Sequence, residues 1–94
     1  MFTADILECA TALAIKDENG DEFYIEEQEH CSLCADAKGN WIGPGRYYIN
    51  PETNEVEFIF WDNWCNPLEG RISGKILDLS FDYGVTWWSE IGEK

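Results

Sequence analysis

The segment His30-Cys31-Ser32-Leu33-Cys34 holds the chain's one histidine and two of its four cysteines. Two thiolates spaced as CxxC can hold one metal ion from a tight turn, and a tetrahedral zinc site then needs two further ligands. Among Cys and His, Cys9, Cys65 and His30 remain to supply them. Cys31, Cys34, Cys65 and His30 are therefore the candidate zinc ligands. Strong zinc signatures carry two paired motifs, and this chain carries one. A thioredoxin-like redox motif follows a strand in a βαβ pattern. This CxxC instead lies between acidic and glycine-containing loop sequence, where neighbouring carboxylates raise thiol pKa values and blunt the nucleophile. Four inert, buried thiols and no cofactor are the simpler expectation.

Other chemistry finds little material. No serine or cysteine motif specifies a nucleophile with its base, and Gly43-Pro44-Gly45 lacks the spacing and the lysine of a phosphate loop. The run Asp17-Glu18-Asn19-Gly20-Asp21-Glu22 is rich in oxygen ligands. It has neither the spacing nor the closing Glu of the twelve-residue calcium loop. No enzyme is expected.

Charge is the dominant feature. Nineteen acids face six bases, a net of -13. Small domains need about 2–8 units of net charge for solubility, so self-repulsion here exceeds that need and costs stability. The bases Lys16, Lys38, Arg46, Arg71, Lys75 and Lys94 are scattered along the chain. Direct contact with nucleic-acid phosphates or anionic membranes is thereby disfavoured. Seven acids fall between residues 17 and 29 with no base among them: Asp17, Glu18, Asp21, Glu22, Glu26, Glu27 and Glu29. A second set, Glu52, Glu55, Glu57 and Asp62, follows. Carboxylates at i and i+2 on a strand project from one face about 6.6 Å apart, a scale comparable to the phosphate repeat of nucleic acid. A rigid row of them offers a phosphate-like field to a basic nucleic-acid-binding protein. A solvated, solubilising face is the alternative. Trp64 and Trp88 are candidate aromatic anchors beside these acids, because exposed tryptophans are frequent hot spots.

The elements that must position these groups follow from periodicity. Ninety-four residues make one domain. Five Trp, five Phe and four Tyr supply a core. Residues 3–16 read as a helix: Thr3 caps it, Asp5 sits in its first turn, and Ile6, Ala10, Leu13 and Ala14 recur at helical spacing. A rival reading makes residues 12–16 a strand, turning through Asn19-Gly20 into the next. Residues 22–27 alternate as a strand. Residues 46–61 form a hairpin about Asn50-Pro51-Glu52-Thr53-Asn54. Residues 62–70 read as a loop, residues 72–81 as a strand with Leu77, Leu79 and Phe81 inward, and residues 85–88 as an edge strand. The expected fold is α+β, one N-terminal helix packed on a four- to five-stranded antiparallel sheet. An all-β meander is the alternative.

No run approaches the ~20 apolar residues of a membrane helix. The opening Met-Phe-Thr-Ala-Asp has neither the basic start nor the apolar stretch of a signal peptide. A cytoplasmic setting with reduced cysteines is expected. In size, acidity and aromatic content the chain resembles the small acidic proteins that phages and mobile elements direct against host machinery. Anti-CRISPR and anti-restriction proteins that mimic DNA are among them. That resemblance implies an inhibitor whose acidic surface occupies a basic nucleic-acid-binding site on a host protein complex. The alternative is a zinc-stabilised module with an aromatic surface for protein or carbohydrate.

Overall fold

Successive side chains point alternately in and out along six strands, and their inward sides fill one interior. The computed structural model describes residues 2–61 and 67–91, with side chains over residues 2–60 and 70–90. In chain order come α1 (Ala4–Cys9), β1 (Ala12–Asp17), β2 (Glu22–Glu27), β3 (Ser32–Asp36), β4 (Trp41–Asn50), β5 (Glu55–Trp61), β6 (Pro67–Ser80) and α2 (Trp88–Ile91). Each strand pairs antiparallel with the next, and β6 returns to pair with β1, closing a six-stranded barrel. Closure leaves no strand with an open lateral neighbour in the strand order, which removes the hazard of a free edge.

Leu13, Ile15, Ile25, Cys34, Val56, Phe58 and Leu79 fill the barrel at 0–2% exposure. Phe23, Tyr47, Ile49, Phe60, Ile72 and Ile76 pack around them, half-buried. Burial at this level stabilises each large side chain by about 1.5–3 kcal/mol.

The expected α+β fold is wrong. The N-terminal helix ends at Cys9, and Ala10 is already extended, at φ -71 and ψ 136. Ala10, Leu13 and Ala14 satisfy a helical period, but Leu13 and Ile15 equally satisfy a strand period. Tertiary pairing breaks the tie. As a strand, β1 hydrogen-bonds β2 on one side and β6 on the other; a helix here would leave both of those edges unpaired. What survives as α1 is a six-residue plug. Its Leu7 and the following Ala10 join the core, with Phe2 and Ile6 packed alongside. Asn54 anchors this plug. Its Oδ1 accepts from Phe2 N at 2.7 Å and its Nδ2 donates to Phe2 O at 3.0 Å.

Further expectations are corrected. The CxxC segment is not a loop: β3 runs through it and pairs with β2 and β4. Gly43-Pro44-Gly45, which reads from sequence as a break between an extended piece at Trp41-Ile42 and the following hairpin, lies within β4. Pro44 faces Leu33 of β3, and the ladder to β5 begins one residue later, at Gly45. Of the expected loop over residues 62–70, residues 62–66 lie outside the described residues and Pro67 opens β6. In β6 a bulge falls between the Ala14–Asp78 and Ile15–Ile76 pairs. It turns Leu77 outward, to 46% exposure, and makes Ile76 and Leu79 the inward residues. Phe81 lies past the strand and is exposed. The expected edge strand at residues 85–88 is a single bridge, Ser80 to Trp87, followed by α2.

The chain's last described turn lies over the barrel wall. Trp87 contacts Tyr24 on the outer face of β2, with centroids 5.8 Å apart. Asp78, on the outer face of β6, accepts from Ser89 N at 3.1 Å and Ser89 Oγ at 2.6 Å. Ala14 sits in register between Tyr24 and Asp78. Ala12 and Ala14 point outward yet are buried, because this segment roofs them. Trp88 packs edge-on against Phe2 and Phe81, at 6.1 and 5.6 Å.

Candidate interaction surface

The acidic stretch folds into the β1–β2 hairpin and the connection after it. Two hairpins share one turn, Asp-x-x-Gly-Asp/Asn, at residues 17–21 and 36–40. Asp17 Oδ1 accepts from Asn19 N and Asp21 N, both at 2.9 Å. Asp36 Oδ1 accepts from Lys38 N at 2.9 Å and Asn40 N at 2.8 Å. Gly20 and Gly39 close the turns at φ +89 and +92, a left-handed backbone that glycine adopts without a Cβ penalty. The Asn40 backbone N–H, with Asn40's side chain and Lys38 adding to it, holds the Asp36 carboxyl below the usual carboxylate range. Asp17 is likewise occupied by its own turn.

Beyond the turn, Glu22, Tyr24 and Glu26 alternate on the outer face of β2, and Phe23 and Ile25 point in. Glu18 and Asp21 are exposed on the turn, and Glu29 on the connection after β2. None of these five carboxylates, Glu18, Asp21, Glu22, Glu26 and Glu29, forms an ion pair with a described base. Glu26 accepts from the Gln28 side chain at 2.9 Å. Glu27 differs. It has the inward parity and accepts from the Tyr47 hydroxyl at 2.7 Å, half-buried at the barrel end. Burial, and then Glu27 itself, push the Tyr47 phenol well above its ordinary pKa, so it stays a donor to that carboxylate.

The second acidic set sits among bases, and its Glu55 and Glu57 line one concavity with Asp17 and Glu18 of the β1–β2 turn. Glu55 stands opposite Lys75, and Lys75 opposite Lys16. Glu57 pairs with Arg71. Bases that are scattered in sequence thus share the outer wall of β6 and β1, interleaved with Glu55 and Glu57. Glu52 is exposed on the β4–β5 turn. Asp62 and Trp64 lie outside the described residues. Trp88 is half-buried and packed on Phe2 and Phe81 rather than presented to solvent. The two acidic sets named from sequence therefore differ in setting: Glu55 and Glu57 are interleaved with bases, whereas the β1–β2 set meets one, Lys16, opposite Glu22.

Sequence reasoning places Tyr24 with Glu22 and Glu26 on one strand face but leaves it out of the binding residues. Tyr24, between Glu22 and Glu26, leans on Trp87. The Glu-x-Tyr-x-Glu alternation was the signal that a strand would set all three side by side.

The zinc set is not assembled by the described residues. Cys34 is fully buried in the barrel, and Cys31 sits three residues earlier at the strand entrance. Cys31 lies in the bend before β3 and is half-buried, whereas Cys34 is sealed in the interior. His30 is exposed and Cys65 lies outside the described residues. Among the described residues no group of three His, Cys, Asp or Glu could hold a metal ion. Burial, helped by Asp36, pushes the Cys34 thiol up to about 12. Only the thiolate alkylates. Iodoacetamide near pH 8 should thus modify exposed Cys9 and leave Cys34 intact until the protein is denatured, as peptide mapping would show. Rapid native labelling of Cys34 would mean that β3 is not packed as described.

Among the described residues no helix is long and apolar enough to cross a membrane. The fold and surface define a small closed antiparallel barrel with one acidic, aromatic-bearing wall. No protein-family model, curated protein or solved structure matches the chain.

Proposed function

We propose that this chain is a non-enzymatic, acidic interaction protein of the phage or mobile-element inhibitor type. It acts in the cytoplasm and occupies a basic nucleic-acid-binding site on a host protein complex. One observation carries the reading: Glu22 and Glu26 flank Tyr24 on the rigid outer face of β2, continuous with Glu18 and Asp21 on the turn, and none of these carboxylates is ion-paired to a described base. Residues at i and i+2 on a strand stand about 6.6 Å apart, so the carboxylate-aromatic-carboxylate row is a fixed pattern rather than a flexible tail. A net charge of -13 steers a basic partner toward it.

The test is capture of partners from a bacterial lysate by the tagged protein, eluted along a salt gradient, with zinc measured in the purified sample. A nucleic-acid-binding protein eluting at raised salt is the expected result, because screening weakens exposed charge contacts. The combined variant Glu18→Gln, Glu22→Gln, Glu26→Gln and Glu29→Gln should release it at lower salt. Stoichiometric zinc with nothing eluting would overturn the reading and return attention to the cysteines.

A further inference from the structure

We propose that the loop after β6 is a preorganised apolar anchor, centred on Tyr83 and Val85. It docks into an apolar pocket of a protein partner whose rim carries lysine or arginine. Val85 is 79% exposed, Tyr83 56% and Phe81 39%, three large apolar residues within one short turn. Exposed apolar side chains that stand together, unlike scattered ones, mark interaction sites.

The loop holds this display rigidly. Ser80, 1% exposed, is its hub. Its hydroxyl donates to Asp82 Oδ1 at 2.6 Å and accepts from Asp82 N at 3.2 Å and Gly84 N at 2.9 Å. Asp82 Oδ1 also accepts from Thr86 N at 2.8 Å. The Ser80 hydroxyl, followed by the Thr86 amide, keeps the Asp82 carboxyl below its ordinary range. Tyr83 N donates to Thr11 Oγ1 at 2.9 Å, and Thr11 Oγ1 donates to Ser80 O. Tyr83 itself sits at φ +59. A non-glycine residue there is strained, and such strain persists only where the surroundings over-determine it. A bulky aromatic is a poor choice for a turn whose sole task is to reverse the chain; glycine or asparagine would serve at lower cost. The ring is therefore kept for what it presents. Aromatic anchors that are already ordered lose little entropy on binding.

Charge complementarity identifies the partner. Thr11, which holds Tyr83, also accepts the Glu27 amide, so the loop abuts the end of β2. Trp87, at the loop's far end, contacts Tyr24 between Glu22 and Glu26. The apolar tip thus borders the acidic wall, and the occupant it suits is apolar at its centre and basic at its edge. The anchor rests on the acidic-surface reading for that edge alone.

Selection of a displayed random-peptide library on the intact protein tests this directly. Enriched peptides should combine aromatic or aliphatic residues with Lys or Arg. Tyr83→Gly and Val85→Asp should each weaken their binding roughly tenfold or more. Tyr83→Gly keeps the backbone and relieves the strain, so its thermal midpoint should not fall, which separates lost binding from lost folding. Glu22→Gln with Glu26→Gln should reduce salt dependence. If Tyr83 and Val85 variants bind as the parent does, or no peptide enriches, the anchor is overturned. If they lose binding and the glutamate variant changes nothing, the anchor stands and the acidic reading fails.

Discussion

Phe58→Ala should lose about 3–5 kcal/mol of folding stability, the range for truncating a buried aromatic. Among the described residues Phe58 is the largest fully buried side chain, at 0% exposure. It lies mid-strand in β5, pairs with Tyr47 of β4 and Ile72 of β6, and stacks on Phe60 with centroids 6.1 Å apart. The walls of a closed barrel cannot collapse inward without breaking ladder hydrogen bonds, so most of the cavity would persist. Domains of this kind are stable by only about 5–15 kcal/mol. The variant should accordingly have a much lower urea midpoint, read by tryptophan fluorescence. Phe58→Leu, which keeps more of the volume, should lose less. A change below about 1 kcal/mol, typical of surface positions, would show that the interior is not packed around this ring.

Gly45→Ala should be nearly as damaging, at or beyond the upper end of the roughly 1–3 kcal/mol seen for overpacking. Gly45 pairs with Ser32 of β3 on one side and Phe60 of β5 on the other. It is the position at which β4 passes from one neighbour to the next. A Cβ there would fall on the β5 backbone, 2.7 Å from Phe60 Cα and 2.9 Å from the Ile59 carbonyl carbon. Backbone cannot rotate away as a side-chain tip can, so β5 must shift and the barrel seam must open. The measurement is the urea midpoint together with amide exchange along the β4–β5 ladder. Ser73→Ala, on the exposed outer face of β6, serves as the control and should stay within about 0.5 kcal/mol. An unchanged Gly45→Ala midpoint would mean that β4 and β5 do not approach as closely as described.

Elements with a strong local pattern could be read directly. Val56, Phe58 and Phe60 alternate with Glu55 and Glu57, and β5 lies where that alternation puts it. Asn50-Pro51 and Asn19-Gly20 mark turns by their own backbone preferences, and both are turns. Of the surface, the acids of residues 17–29 could be named but not sorted. That Asp17 would cap its turn and Glu27 would turn inward to Tyr47 depends on a bond geometry and a strand parity that sequence leaves open.

What the sequence alone determined is therefore local: the charge, the alternation of β2 and β5, the turn chemistry and the supply of aromatic core. What only the tertiary structure decided is non-local. β1 is a strand because β6, some sixty residues later in the chain, returns to pair with it. β3 is a strand because β2 and β4 flank a segment too short and too mixed to declare itself. Leu77 faces outward because a bulge shifts the register against β1. Lys16 and Lys75 meet because closure brings their strands together. In each case the deciding energy is hydrogen bonding and burial against a distant partner, and a local window of sequence does not contain that partner.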